Sequence, residues 1–277
     1  GIWRKIIYEE KVEKIIHSKR KNKMKRVITI LAVLLIASQG FAQLSGDEIM
    51  NKVYNLPTGN DQQGQLTMTL INKSGEQRVR KLQQYIKLYN GDEKKVMFFL
   101  APADVRGTSF MNWSYADGRD DDQWIYLPAL KRTKRISSDS KSESFMGSDF
   151  TYDDLGDRHP SEDTHKLLRE ETIDGKACYV VESTPKDDTY AYSKIISWII
   201  KDNFMGAKRE FYDEDGDLLK TLTVIKYDKI DGFWTILQTE MKNVQKNHKT
   251  EMKFENIQFN QGISDNKFTE RGMTLGL

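Results

Sequence analysis

Cysteine is nearly absent: Cys178 is the only one in 277 residues. An internal disulfide is excluded, so an oxidising compartment is tolerated but not exploited. Histidine is scarce too, with four residues. No Gly-rich phosphate loop, Ser-His-Asp pattern or paired C-x-x-C occurs, and no catalytic residue or cofactor is assigned. The five prolines form no linker, and no repeat or low-complexity tract is present. The sequence has one long apolar run, Val27 to Ala37, shorter than the roughly 20 residues a membrane-spanning helix needs. Excess charge of one sign is also missing. The first 42 residues hold ten of the 43 basic and three of the 41 acidic residues, which leaves the remainder at a net −5. The apparent pI of 8.4 therefore belongs to the leader, and no basic field argues for nucleic acid.

That leader has the order of a secretory signal peptide: Met24, the basic pair Lys25 and Arg26, the apolar run, then Gly40-Phe41-Ala42. Cleavage is expected after Ala42. Gln43 stands where a lipid-anchored product would need Cys, so a soluble exported protein is expected. Residues 1–23 lie upstream of a start methionine. They read as translated upstream sequence or, alternatively, as a cytosolic extension that makes the apolar run an uncleaved anchor. Residues 43–277 suffice for one β domain with a sizeable core.

What is abundant is strand signal. Candidate strands are 64–72, 78–89, 93–101, 107–115, 121–128, 131–137, 166–173, 176–185, 193–201, 206–213, 218–228, 233–243 and 250–259. Their separators ("NKSGEQ", "NGDE", "IDGK", "DEDGD", "KIDGF") are tight-turn sequences, in which Asn-Gly and Asp-Gly supply positive φ. Such short loops join antiparallel neighbours, so a long meander is predicted. Cys178, in the apolar run "KACYVVES", reads as a buried small hydrophobe. One helix is predicted over 45–56, where Ser45 and Glu48 have capping-box spacing and Ile49, Val53 and Leu56 share a face.

Several strands are apolar on both faces. Val96, Phe98 and Leu100 oppose Met97 and Phe99, and Trp124 and Tyr126 oppose Ile125 and Leu127. An antiparallel sheet normally keeps one face wet. A closed barrel, a second sheet, or a sheet curled around an apolar hollow would each shelter the second face. The stretch "KSESFMGSDFTYDDL" (141–155) has a loop's serines and aspartates yet carries Phe145, Met146, Phe150, Tyr152 and Leu155. It reads as a broken helix around 142–147 and 151–155.

The segment 117–155 resembles the signature region of the outer-membrane lipoprotein-sorting (LolA-like) family, in its larger subgroup associated with lipid-exporting transporters. The resemblance rests on Trp124 to Leu130, the basic run Lys131 to Arg135 and Ser144 to Phe150, with "VRGTSFMNW" (105–113) also fitting. It implies a mainly β fold: an incomplete, half-open antiparallel barrel with a helical or loop lid over an apolar cavity that holds acyl chains in the periplasm. Phe145, Met146, Phe150, Tyr152 and Leu155 would form the lid, or else be ordinary core at one barrel end. By alternation, Met97, Phe99, Met111, Trp113, Trp124 and Tyr126 are the expected cavity wall. Lys131, Arg132, Lys134 and Arg135 would meet anionic headgroups or an acidic partner, or else guard a charged edge strand.

The expected function is a non-enzymatic periplasmic carrier of lipoprotein or lipid acyl chains. It would take cargo from an inner-membrane transporter and pass it to an outer-membrane acceptor. The alternative is a non-transporting β-barrel adaptor docked on an envelope transporter. Asp120, Asp121, Asp122, Asp149, Asp153, Asp154, Asp157 and His159 form an acid-rich set, but their spacing matches no metal or hydrolase motif.

Overall fold

The computed structural model describes residues 43–276 and, before them, only His17, Arg20 and Lys21. The expected leader and upstream segment lie outside the described residues. The chain divides after Leu44, and the sheet and its helices belong to the unit from Ser45 onward.

Helix α1 (Gly46–Tyr54) begins where its capping box predicts. Ser45 Oγ accepts from the Glu48 amide at 3.2 Å, and the Glu48 carboxylate accepts from the Ser45 amide at 2.8 Å. Each residue thereby satisfies an amide that the first helical turn leaves unpaired. Ile49 is fully buried. Gly46 lies so close to the chain at His165 that a Cβ would sit 2.5 Å from the His165 carbonyl oxygen, so only glycine fits.

Thirteen strands follow, matching the predicted ones to within a few residues: β1 (Asp61–Ile71), β2 (Gln77–Tyr89), β3 (Asp92–Ala101), β4 (Ser109–Ser114), β5 (Asp122–Leu127), β6 (Arg132–Arg135), β7 (Asp163–Ile173), β8 (Lys176–Pro185), β9 (Lys194–Ile200), β10 (Gly206–Tyr212), β11 (Leu218–Ile230), β12 (Phe233–Asn243) and β13 (His248–Phe259). The hairpin turns have the expected chemistry. Asn90-Gly91, Asp174-Gly175 and Asp231-Gly232 all have positive φ at both residues, the twist that matches paired strands.

All thirteen strands form one antiparallel sheet, ordered β6-β5-β4-β3-β2-β1-β13-β12-β11-β10-β9-β8-β7. The first and last strands pair, with Leu66 opposite Phe254 and Met68 opposite Met252. The ring is instead cut in mid-sequence: β6 and β7 are both edges. The stretch between them, residues 136–162, contains four 3-10 turns, at Ser138–Ser140, Phe145–Gly147, Asp153–Leu155 and Pro160–Glu162. Two of these fall where the broken helix is predicted, as 3-10 turns and not α-helix. Met146 and Gly147 both take positive φ and break the chain's direction there.

Two separate clusters explain why β3 is apolar on both sides. Met97 and Phe99 pack with Phe110, Ile125, Phe145, Phe150 and Tyr152 on one face. Val96, Phe98 and Met111 pack on the other with Ile263, Phe268 and Met273, from a C-terminal segment ending in the short helix α2 (Glu270–Leu275). The sequence does not announce this cover. Asp61 fixes it: its carboxylate accepts from the amides of Gln261, Gly262 and Ile263 at 2.7, 2.9 and 3.0 Å, turning the chain as it leaves β13.

Candidate functional site

The inner face of the sheet has two parts. Beside β3 to β5 it is filled by the 136–162 stretch. Phe145 is 1% exposed, with its ring 5.9 Å from Phe99, 5.2 Å from Phe110 and 5.5 Å from Tyr152. Beside α1, from β1 to β3 and across β7 to β13, it leaves a cavity of about 530 Å³, in the usual range for ligand sites. Leu66, Met97, Leu222, Met252, Phe254 and Phe259 form its apolar wall, Val53 and Leu56 close it from the α1 side, and Phe150 and Leu155 border it from the inserted stretch.

The inserted stretch is tied down by polar contacts along its middle, from Met146 to Asp154. Buried Lys220 on β11 forms an ion pair with Asp154, whose other oxygen accepts from Tyr192 Oη at 3.0 Å. Asp149 accepts from Thr250 Oγ1 and from His248 Nδ1, both at 2.7 Å. Gln123 donates to the Tyr152 carbonyl at 2.9 Å, and Arg80 to the Met146 carbonyl. Much of the acid-rich set thus consists of acceptors that hold the stretch in place. Asp121 accepts from Asn112, Ser114 and the Asp157 amide, while burial raises its pKa above the ordinary carboxylate value. Among the described residues, no group of three or more His, Cys, Asp or Glu side chains is arranged to hold a metal ion.

The cavity also has a charged end. Lys95 pairs with Glu93 at 3.2 Å and donates to the Leu155 carbonyl at 3.1 Å. Asp157 faces the same space, and burial, reinforced by Glu93, raises its pKa to about 6. Arg158 pairs with Glu162 and Asp163 at 2.9 and 2.7 Å. Arg209 reaches in from β10, between the cross-strand neighbours Ser197 and Leu222.

The predicted wall splits. Met97 lines the cavity, and Phe99 lies on the same face beneath Phe145. Met111, Trp113, Trp124 and Tyr126 are a correction: they sit on the outer face, under the C-terminal segment. A strand alternates with period two, so assigning β4 and β5 one residue out of phase reverses every side chain. The inner positions are Phe110, Asn112, Gln123 and Ile125, two of them polar, and the rings that suggest an oily wall pack outside, Trp113 edge-on to Trp124 at 5.1 Å. In the inserted stretch, Phe145 and Tyr152 belong to the filled part, Phe150 and Leu155 border the cavity, and Met146 is half-buried. Lys131, Arg132, Lys134 and Arg135 are exposed on and beside edge strand β6, with Arg135 paired to Asp122. Arg209 and Phe254 escape sequence reading, although Arg209 stands two residues from inward-facing Phe211 and so shares its face.

The same architecture and sequence recur elsewhere. An outer membrane lipoprotein-sorting protein domain from Vibrio parahaemolyticus is 35% identical, over 83% of this chain and 98% of that one, with a TM-score of 0.78. The chain belongs to the LolA-like outer-membrane lipoprotein-sorting family. A DUF1329 family protein from Desulfovibrio piger is 32% identical, over 82% of this chain and 97% of that one, again with a TM-score of 0.78. A family model described only as "uncharacterized protein", "-like", matches residues 91–274. A LolA superfamily protein from Nitrosomonas europaea shares the fold at 21% identity, with a TM-score of 0.66 over 82% of this chain and 99% of that one. No curated protein matches. The half-open LolA-like barrel is thus the shared frame, and in this chain the inserted stretch links its two edge strands and packs on the inner face.

Proposed function

We propose that the protein is a periplasmic carrier that shelters acyl chains in the cavity between α1 and the inner face of the sheet. It receives them from an inner-membrane transporter and releases them to an outer-membrane acceptor. The observation that carries this reading is the cavity of about 530 Å³ that the protein's own side chains leave open, with an apolar wall on one side and a charged end on the other. The naming of its Vibrio relative as a lipoprotein-sorting domain supports an acyl-bearing cargo. Each methylene buried contributes about 0.8 kcal/mol, so a chain of about a dozen carbons gains roughly 10 kcal/mol before entropy is subtracted. Phe150 and Leu155 border the cavity, so their side chains compete with cargo and weaken the net affinity enough for hand-over.

The test is native mass spectrometry of the protein gently purified from its host, with extraction of whatever lipid co-elutes. Bound acyl lipid is expected. Protein that emerges lipid-free and takes up no hydrophobic dye refutes the carrier. A second reading, a non-transporting adaptor docked on an envelope transporter, is favoured by the buried Lys220–Asp154 pair, which suits a fixed plug better than a moving lid. That outcome would leave the protein dye-free but still retained on the transporter.

A further inference from the structure

The cavity's cations are not alike. Lys95 has Glu93, Arg158 has Glu162 and Asp163, and His165 is held between Ser183 Oγ at 2.8 Å and the Pro160 carbonyl at 2.9 Å. The Arg209 guanidinium makes no ion pair and no hydrogen bond with any described residue. Burial is the chief influence on it and lowers its pKa from the ordinary arginine value, while Tyr190, Asp154, Asp157 and Asp163 act on it only at a distance. A guanidinium does not give up its proton in a protein, so its desolvation is not relieved by neutralisation. Its planar fork matches a carboxylate or phosphate with two parallel hydrogen bonds. On the same inner face, Leu222 is its cross-strand neighbour, and Leu66, Met252 and Phe254 continue the wall.

We infer that the cavity binds an anionic amphiphile, whose carboxylate or phosphate is held by Arg209 and whose hydrocarbon chain lies along Leu66, Met252 and Phe254. This rests on the carrier reading and narrows it. An acyl group joined to a protein through ester or amide bonds brings no anion to Arg209, so the favoured cargo is a free fatty acid or an anionic lipid. Asp157, facing the same space beside Glu93 and Lys95, becomes neutral below about pH 6 and then ceases to repel the anion.

The experiment is displacement of the dye 1-N-phenylnaphthylamine from the full chain by oleate, oleyl alcohol and lysophosphatidylglycerol. Oleate and oleyl alcohol share a chain and differ in charge. The unaltered protein should bind oleate about ten- to a hundredfold more tightly than oleyl alcohol, the size expected of a charge-assisted hydrogen bond. Arg209→Leu should abolish that preference by weakening oleate binding, and Arg209→Lys should keep part of it. Tighter Arg209-dependent binding of lysophosphatidylglycerol than of oleate assigns a phosphate headgroup, and the reverse order a free carboxylate. Should the leucine variant fail to fold, Arg209→Gln carries the same comparison. Equal affinity for oleate and oleyl alcohol, or a preference that survives loss of Arg209, overturns the inference and leaves the carrier standing. Failure of dye, alcohol and oleate alike to bind overturns the carrier itself.

Discussion

The two halves of the inner face are built from the same strand chemistry but end differently. Beside β3 to β5, Phe145 and Tyr152 from the inserted stretch fill the concavity against Phe99 and Phe110. Beside β9 to β13, Leu222, Met252 and Phe254 face a hollow. The difference lies in what crosses the sheet. The inserted stretch leaves edge β6, lays Phe145 and Tyr152 against the nearer strands, and is then pinned to the far strands through polar groups such as Asp149 and Asp154 as well as by apolar packing. Packing one half and leaving the other open lets stability and cargo space reside in different residues.

Substitutions in the two halves should therefore separate. The largest effect is expected from Phe145→Ala, which removes a fully buried ring from the filled half and should cost about 3–5 kcal/mol in a denaturant titration. A cost below about 1 kcal/mol would show that the ring is displaceable, and the contrast between the halves would fail. Lys220→Met leaves Asp154 buried without its cation and should cost about 3 kcal/mol. Hydrogen exchange should then speed up across 145–155 while β1 and β13 stay protected.

Asp157→Asn probes the charged end of the hollow. The folded-state pKa, about 6, lies above the unfolded value, so the folded protein holds its proton more tightly. Stability is thus lost as pH rises from about 4 through 6 and stays lost above. The asparagine variant should be more stable at pH 7.5, by at most about 2 kcal/mol, since Asp157 is half-buried, and the gain should vanish near pH 4. A gain that persists at pH 4 would place its origin elsewhere. The smallest change in stability is expected from Phe254→Ala, about 1 kcal/mol, because its ring already borders empty space. Its affinity for a hydrophobic dye should fall several-fold, the inverse of the Phe145 pattern.

Legibility in the sequence follows the range of the forces involved. Turn pairs such as Asn90-Gly91 and the Ser45–Glu48 cap act over a few residues, so strand positions and α1 can be read directly. The C-terminal cover cannot, because Ile263, Phe268 and Met273 have no helical period and their helix spans six residues. Without it, the outward rings Trp113 and Trp124 have no visible partner, and alternation alone turns them inward. Arg209 escapes for a related reason: its isolation depends on which carboxylates the fold brings near it and which it spends on Lys220 and Arg158.

The sequence alone determined a thirteen-strand antiparallel meander and an apolar segment inserted between its sixth and seventh strands, since local turn chemistry and alternation dictate both. Only the tertiary structure decided which face each alternating residue takes, where the ring is cut, and that a hollow with a lone guanidinium survives inside. Those outcomes depend on contacts between residues far apart in the chain, and a period of two cannot say which of its two phases points inward.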